Sequence, residues 1–337
     1  MELRSSNDPS HVNILVTNRR LAEAIVKKWG HNVTCWQVFN PGISHWISAD
    51  SETLIGYRAV GSGAVVVGEP IGPPDVQVKE ALCFESLFNR VTWFGASTTF
   101  SQKFRPLHPR THLPIGFQTM IRGDQWDGVL STSASLRYQL RRATAKGVQI
   151  RRFVGSDLTQ ISRVLSQWKT CKFPINLYFM TDPDIALHPD SRVVWVAHIN
   201  EALVGYLISS PVPHRPGWLL EQWVRAPDAP NGTIELLVHT AIRELTTGTT
   251  HTVTMGLCPL MVSPQLSPIR LERCLYRLGR MATRAFYDAE SLTQFKLKFR
   301  FPDHERLWAI TTSGWKLIPC HIDVLLAFMT RPSTIRD

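Results

Sequence analysis

From Val148 onward the apolar residues change period in a fixed order, and that order restricts the fold more than any other feature of the chain. Residues 148–153 read as a strand, and 157–168 have helical spacing with Ser156 as the expected cap. Three strand patterns follow at 193–198, 202–209 and 218–225. The spacing then predicts a helix over 233–245, a strand over 252–257 and a helix over 268–281. Ser267 would cap that last helix, with Pro268 at its first position. The segment 317–329 is apolar but short, and it contains His321 and Asp323. It predicts a packed terminal helix, because a spanning helix needs roughly 18 apolar residues.

Strand, helix, three strands, helix, strand, helix is the order of an acetyltransferase-like (GNAT-like) lobe. The first half reads as a looser copy. A helix is expected over 18–29, with Leu21, Ala24, Ile25 and Trp29 on one face. Strands at 53–60 and 64–68 meet at Gly61-Ser62-Gly63, a hairpin signal, and the turn 69–74 closes the unit. A helix over 76–89 and a buried strand over 91–96 follow. Between the halves, 133–146 predicts a helix with Leu136, Leu140 and Ala143 on one face. Arg137, Arg141, Arg142 and Lys146 cover the rest, and Gly147 is a natural stop. The expected fold is therefore mixed α/β (α+β), with two tandem GNAT-like domains, each a mixed sheet flanked by helices. The expected boundaries are 1–130 and 148–337, joined by a basic helix at 131–147. A chain of 337 residues that is 44% hydrophobic can bury two such cores.

The net charge of +10 favours a polyanionic partner, either nucleic acid or an anionic membrane surface, over a surface tuned for solubility alone. Six cysteines, at 35, 83, 171, 258, 274 and 320, form no Cys-x-x-Cys pair and fit reduced, mostly buried thiols. Residues 1–10 lack the apolar run of a signal peptide. The expected location is the cytoplasm, with peripheral contact at the inner face of the membrane left open. No zinc spacing occurs among the histidines, since Pro109 interrupts His108 and His112, and no metal is expected. No Walker sequence or Gly-x-Ser-x-Gly elbow is present, which argues against the chemistries those motifs carry. Cys258, beside a proline at a strand end, reads as packing.

Three segments carry candidate chemistry. The stretch 225–237, RAPDAPNGTIELL, lies where an acetyltransferase keeps its pyrophosphate loop. Pro227 and Pro230 remove two N–H donors and only Gly232 remains, so the segment is either a damaged coenzyme A cradle, which implies another acyl donor, or an ordinary strand-to-helix turn. Just before it, Glu221 and Arg225 would share one face of a strand. Glu221 can then act as a general base and Arg225 can steady an anion, or the two can form a structural ion pair. In the third segment Lys296, Lys298 and Arg300 alternate with Leu297, Phe299 and Phe301, which predicts a strand with one cationic face. Such a face suits a phosphate-rich donor, or is simply solvated.

Taken together these segments resemble the soluble C-terminal domain of the phosphatidylglycerol lysyltransferases, the aminoacyl-phosphatidylglycerol synthases of the DUF2156 family. The likeness covers about residues 38–308. Its markers are GSGAVVVGEPIGPP at 61–74, LRYQLRRATAKGVQI at 136–150, RAPDAPNGTIELL, VTMGLCPL at 253–260 and FKLKF at 295–299. The resemblance implies transfer of an amino acid from aminoacyl-tRNA to a hydroxyl, typically of a lipid such as phosphatidylglycerol, with no coenzyme and no metal. It implies catalytic roles for Glu221, Arg225 and Lys296, and substrate contacts by Asn231, Gly232, Glu235, Gly256, Pro259, Tyr287 and Phe295. It implies tRNA contacts by Arg137, Arg141, Arg142, Lys146, Lys298 and Arg300.

Two departures stand out. Many relatives carry an Asp with the Arg three residues on, whereas Glu221 and Arg225 are four apart, so Gln222 can occupy the acid's place. Many also continue Phe-x-Pro-x-Trp, where this chain has Phe299-Arg300-Phe301-Pro302-Asp303-His304. A small-metabolite acceptor, with a hydroxyl or amine, is the main alternative. An acetyl-CoA-dependent N-acetyltransferase and a non-catalytic tRNA-binding module are the others.

Overall fold

The computed structural model describes residues 9–106, 110–155, 158–172, 177–181, 192–247, 251–267, 269, 272–283, 288–312 and 317–331. In chain order the first half runs α1 (Pro9–Trp29), β1 (Ser44–Ile47), β2 (Leu54–Val60), β3 (Gly63–Val67), α2 (Gln77–Glu85), β4 (Arg90–Ala96), α3 (Thr98–Phe104), β5 (Arg110–Arg122) and α4 (Trp126–Thr132). The basic helix is α5 (Ala134–Ala145). The second half runs β6 (Gln149–Arg152), α6 (Thr159–Lys172), β7 (Val193–Ile199), β8 (Ala202–Val212), β9 (Gly217–Arg225), α7 (Thr233–Thr246), β10 (Thr252–Pro259), α8 (Glu272–Thr283), α9 (Ala289–Leu297), β11 (Asp303–Thr312) and α10 (Leu317–Met329).

All eleven strands form one sheet, in the order β1-β2-β3-β4-β11-β5-β10-β9-β8-β7-β6. Each half contains one parallel pair, β3 with β4 and β9 with β10. Each pair is linked by a helix, α2 or α7, as a parallel connection requires. The two halves meet where β5 runs antiparallel to β10. β11, late in the chain, lies between β4 and β5 of the first half. The expected mixed α/β architecture and its strand-helix order are therefore present.

The sheet is covered on both faces. On one, α5 and α7 close over Ile121, Leu220, Val253 and Met255. Further along that face, Phe100 and Phe104 of α3 pack with Trp308 and Ile310. On the other, α6 packs on Val194, Tyr206 and Val224, while α1 and α10 cover Val65 and Val67.

The structure departs from the sequence expectation in specific places. Residues 296–300 are not a strand. Asp288 accepts a hydrogen bond from the Ser291 N–H at 2.9 Å and starts α9, which ends at Leu297. The buried residues of α9 are Ala289, Thr293 and Lys296, spaced four and three apart as one helical face. The strand comes afterwards, as β11. The helix expected over 268–281 begins at Glu272, whose carboxylate instead accepts the Ile269 N–H at 3.0 Å. Pro268, the cap Ser156 with Asp157, and Tyr287 lie outside the described residues. Of the cysteines, 35, 258 and 320 are buried, while 83 and 274 are exposed. No helix among the described residues is long and apolar enough to cross a membrane.

Candidate active site

The parallel ladder between β9 and β10 lasts only three residues, from Gly217–Thr252 to Leu219–Thr254. Beyond it the two strands separate. In β10 the break coincides with Gly256, at φ +70°, where the register against β5 shifts between Thr254 and Leu257. The Gly256 N–H turns back to the Thr254 hydroxyl at 3.0 Å.

α9 packs against β10 beside this opening and supplies its central cation. Lys296 Nζ donates to the Leu257 carbonyl at 2.7 Å and lies 5.6 Å from the Trp223 ring of β9. Lys296 is only 5% exposed and has no carboxylate partner among the described residues. Burial pushes its ammonium down from the ordinary lysine range to about 8. Phe295 stacks on Trp223 with centroids 5.9 Å apart. The Cys258 thiol lies near Lys296 and is pushed up by burial, with the lysine charge acting in the opposite sense. Lys296 therefore joins one strand to the other through a carbonyl and an aromatic face, and keeps N–H donors to spare.

Two residues on, just past the end of α9, Lys298 pairs with Glu235 of α7 at 2.6 Å and lies 5.4 Å from the Phe295 ring. Arg225, at the end of β9, donates to the Ala229 carbonyl at 2.8 Å and to Asn231 Oδ1 at 3.3 Å. Part of its guanidinium thus holds the 229–231 turn in shape. Gly232 follows at φ +97°, and a Cβ there would collide with the Gln139 carbonyl of α5. The basic helix is therefore seated against the start of α7, where an acetyltransferase would present free amides to a pyrophosphate.

Glu221 and Arg225 do not share a face, which corrects the expectation from their spacing. The β8–β9 ladder pairs Ile208 with Gln222 and Ser209 with Leu220, leaving Glu221 as the extra residue of a bulge. The bulge resets the alternation, so Leu220 and Trp223 enter one core while Val224 enters the opposite one. Glu221 is buried in an ion pair with Arg192 at 2.9 Å and accepts from the Ser210 hydroxyl. Arg192 in turn donates to the Trp36 carbonyl at 3.3 Å and Asn40 Oδ1 at 3.0 Å. This network joins the two halves of the chain. Gln222 accepts from the Tyr206 hydroxyl at 3.1 Å.

Arg137, Arg141, Arg142 and Lys146 are all exposed along α5 and its end. Arg137 donates to the Leu130 and Ser131 carbonyls, and Arg300 approaches the next carbonyl, Thr132, at 3.5 Å. The structure thus gathers Arg300 with the basic helix, and Lys296, Lys298, Phe295, Gly256 and Glu235 around the strand opening. Pro259 ends β10 beyond Cys258. Sequence reasoning misses Trp223 and Arg192: Trp223 stands inside the strand pattern of 218–225, whereas Arg192 precedes the pattern at 193–198 and nothing in the sequence marks it as the partner of Glu221. Among the described residues no cluster of three or more metal-ligating side chains occurs.

Residues 23–311 match the family model described as phosphatidylglycerol lysyltransferase, C-terminal. An uncharacterized protein of Corynebacterium glutamicum is 24% identical over 312 residues, covering 86% of this chain. The alignment takes in 37% of that relative, so this chain spans little more than a third of its length. Among solved structures, L-PGS from Bacillus licheniformis superposes with a TM-score of 0.75 at 18% identity, over 97% of this chain and 98% of that one. The C-terminal DUF2156 domain of an Agrobacterium fabrum protein described as a lysylphosphatidylglycerol synthetase gives 0.74 at 17% identity, over 93% and 98%.

Proposed function

Because the chain belongs to the family of phosphatidylglycerol lysyltransferase C-terminal domains, we propose that it is a transferase moving an aminoacyl group from aminoacyl-tRNA to the hydroxyl of a lipid of the phosphatidylglycerol type. The observation that carries the reading is Lys296, a buried cation with no carboxylate partner among the described residues, set at the opening between β9 and β10. A buried ammonium without an anion is costly, and it becomes favourable when an anion or a developing oxyanion occupies the space beside it.

The aminoacyl ester on the tRNA end is already activated, so the transfer needs alignment and charge stabilisation, with no coenzyme or metal. The acceptor oxygen attacks the ester carbonyl. The new C–O bond forms, the bond to the ribose oxygen breaks, and the acceptor proton passes to the departing ribose. Lys296 donates to the oxyanion or to the acceptor phosphate, and with an ammonium lowered to about 8 it can also take part in that proton transfer. The free edge of Arg225 steadies anionic groups nearby. Glu221, committed to Arg192 on the other side of the sheet, supports the join between the halves instead of acting as base. Arg137, Arg141, Arg142, Lys146 and Arg300 hold the tRNA backbone, in keeping with their shared exposure. The seating of α5 against Gly232 supports this donor over acetyl-CoA. The reaction takes place on the cytoplasmic side, at the membrane where the acceptor resides.

The test is to incubate the protein with tRNA charged with labelled amino acids, a lipid extract and a metabolite extract. Label moving to an organic-soluble ester is the expected result. Label moving to a water-soluble product would replace the lipid acceptor with a small metabolite. Persistence of the tRNA ester across all amino acids would overturn the reading.

A further inference from the structure

Helix α8 is turned inside out. Three of its polar residues face the protein: Glu272 accepts from Tyr276 at 2.9 Å and pairs with Arg306 at 3.2 Å, and Arg280 donates to the Leu260 carbonyl at 2.6 Å. Gly279 lets the helix settle onto the Leu260 side chain. The apolar residues point the other way. Leu275 is 37% exposed, Leu278 58% and Met281 67%, and exposed Cys274 lies among them. On a helical projection these four occupy one stripe, in which Cys274, Leu278 and Met281 lie opposite Glu272 and Tyr276 while Leu275 lies at the edge, three residues from Glu272. Arg273 and Arg277 form the next row round the helix. Both are exposed, and neither has an ion-pair partner among the described residues. Such a pattern is unstable as an ordinary surface, because leucine and methionine side chains gain by leaving water. An apolar stripe bordered by arginines is the pattern of a helix lying in a lipid interface.

We propose that α8 seats this protein on the surface of an anionic phospholipid bilayer, with Leu275, Leu278 and Met281 in the acyl boundary and Arg273 and Arg277 among the headgroup phosphates. The charge of the chain, +10, complements that surface. Position supports the choice of helix. The Leu260 carbonyl held by Arg280 is three residues beyond the Leu257 carbonyl held by Lys296. α8 therefore stands at the lip of the strand opening, where a lipid acceptor would leave the bilayer. In this the inference rests on the lipid-acceptor reading, although adsorption itself does not require turnover. α10 also exposes apolar residues, Ile322, Leu325, Leu326 and Met329, but it covers the opposite face of the sheet and serves as the internal comparison.

The experiment is co-sedimentation with vesicles of phosphatidylglycerol and phosphatidylcholine, and with phosphatidylcholine alone. The whole chain is compared with Leu278→Glu/Met281→Glu, Arg273→Glu/Arg277→Glu and, on α10, Leu325→Glu/Leu326→Glu. The wild-type protein should bind the anionic vesicles, and each α8 variant should bind about tenfold or more weakly. The α10 variant should bind within a few-fold of wild type. Two further readouts separate failure modes. tRNA binding should be unchanged in the α8 variants. Transfer to short-chain phosphatidylglycerol supplied as monomers should also persist in them, since the site is untouched. Absence of wild-type adsorption, α8 variants that bind like wild type, or a defect in tRNA binding instead of vesicle binding would each overturn the inference. Loss of vesicle binding in the α8 variants would uphold it even if no lipid were aminoacylated, and that outcome would fall on the proposed function alone.

Discussion

Lys296 carries its charge into the protein interior, and the consequence for stability has a definite sign. Its folded pKa, about 8, lies below the ordinary 10.5, so at pH 7 both folded and unfolded chains hold the proton and the folded chain bears the full cost of burying it. Between those two values the folded chain releases the proton first, and stability rises with pH. Lys296→Met removes the charge. Its stability advantage over wild type should therefore shrink by about 3 kcal/mol as pH rises from 7 to beyond 10. Denaturant unfolding at the two pH values measures this, and a constant difference would mean the lysine is not desolvated. Arg192 behaves differently. Arg192→Ala leaves Glu221 buried and unpaired, and should cost about 3–5 kcal/mol in the same assay. Lys296 was legible as a residue from its FKLKF setting, but its partners were not. Leu257 offers a backbone carbonyl, which no side-chain pattern announces. The spacing of Glu221 and Arg225 misleads for a related reason: a one-residue bulge changes which residues share a face while leaving the alternation of letters intact.

At the scale of elements, local sequence was a better guide to helices with caps and apolar stripes than to short mixed segments. Residues 233–245 and 133–146 were read nearly to their ends because the buried positions recur at helical spacing. α9 was not, because Phe295, Leu297, Phe299 and Phe301 imitate a strand, while Asp288 and Thr293 reveal the helix only when read as cap and buried face. β5 and β11 escaped prediction because each is assembled from contacts distant in sequence: their mutual ladder runs from Asp303–Met120 to Thr312–Arg110. The junction of α5 with α7 depends on a single position. Gly232→Ala would demand a left-handed backbone of a residue with a Cβ and would drive that Cβ into Gln139. We expect a loss of about 2–4 kcal/mol in denaturant unfolding, with the two helices forced apart. An unchanged midpoint would show that α5 has room to move.

For the molecule as a whole, one sheet unites what the sequence presents as two lobes. β11 passes from the second half into the first, and Arg192 reaches across to Trp36 and Asn40. Periodicity revealed the repeat but not this exchange, since nothing in residues 303–312 marks β4 and β5 as neighbours. The proposed tRNA contacts of α5 would act through the summed charge of its exposed face. Removing Arg137 and Arg141 together should lower the slope of log affinity for tRNA against log salt by about 2, and weaken binding alike for charged and uncharged tRNA. A slope equal to that of wild type would place the tRNA on another surface.

The proposed aminoacyl transfer takes place at the separation of β9 and β10 with Lys296 beside the reacting carbonyl. Its most direct test is single-turnover transfer from labelled aminoacyl-tRNA to phosphatidylglycerol by Lys296→Ala, with folding verified by an intact cooperative melt. Loss of one oxyanion donor should slow transfer about 100- to 1,000-fold while tRNA binding is retained. A folded Lys296→Ala that transfers within a few-fold of wild type would contradict the account and move the chemistry away from this opening.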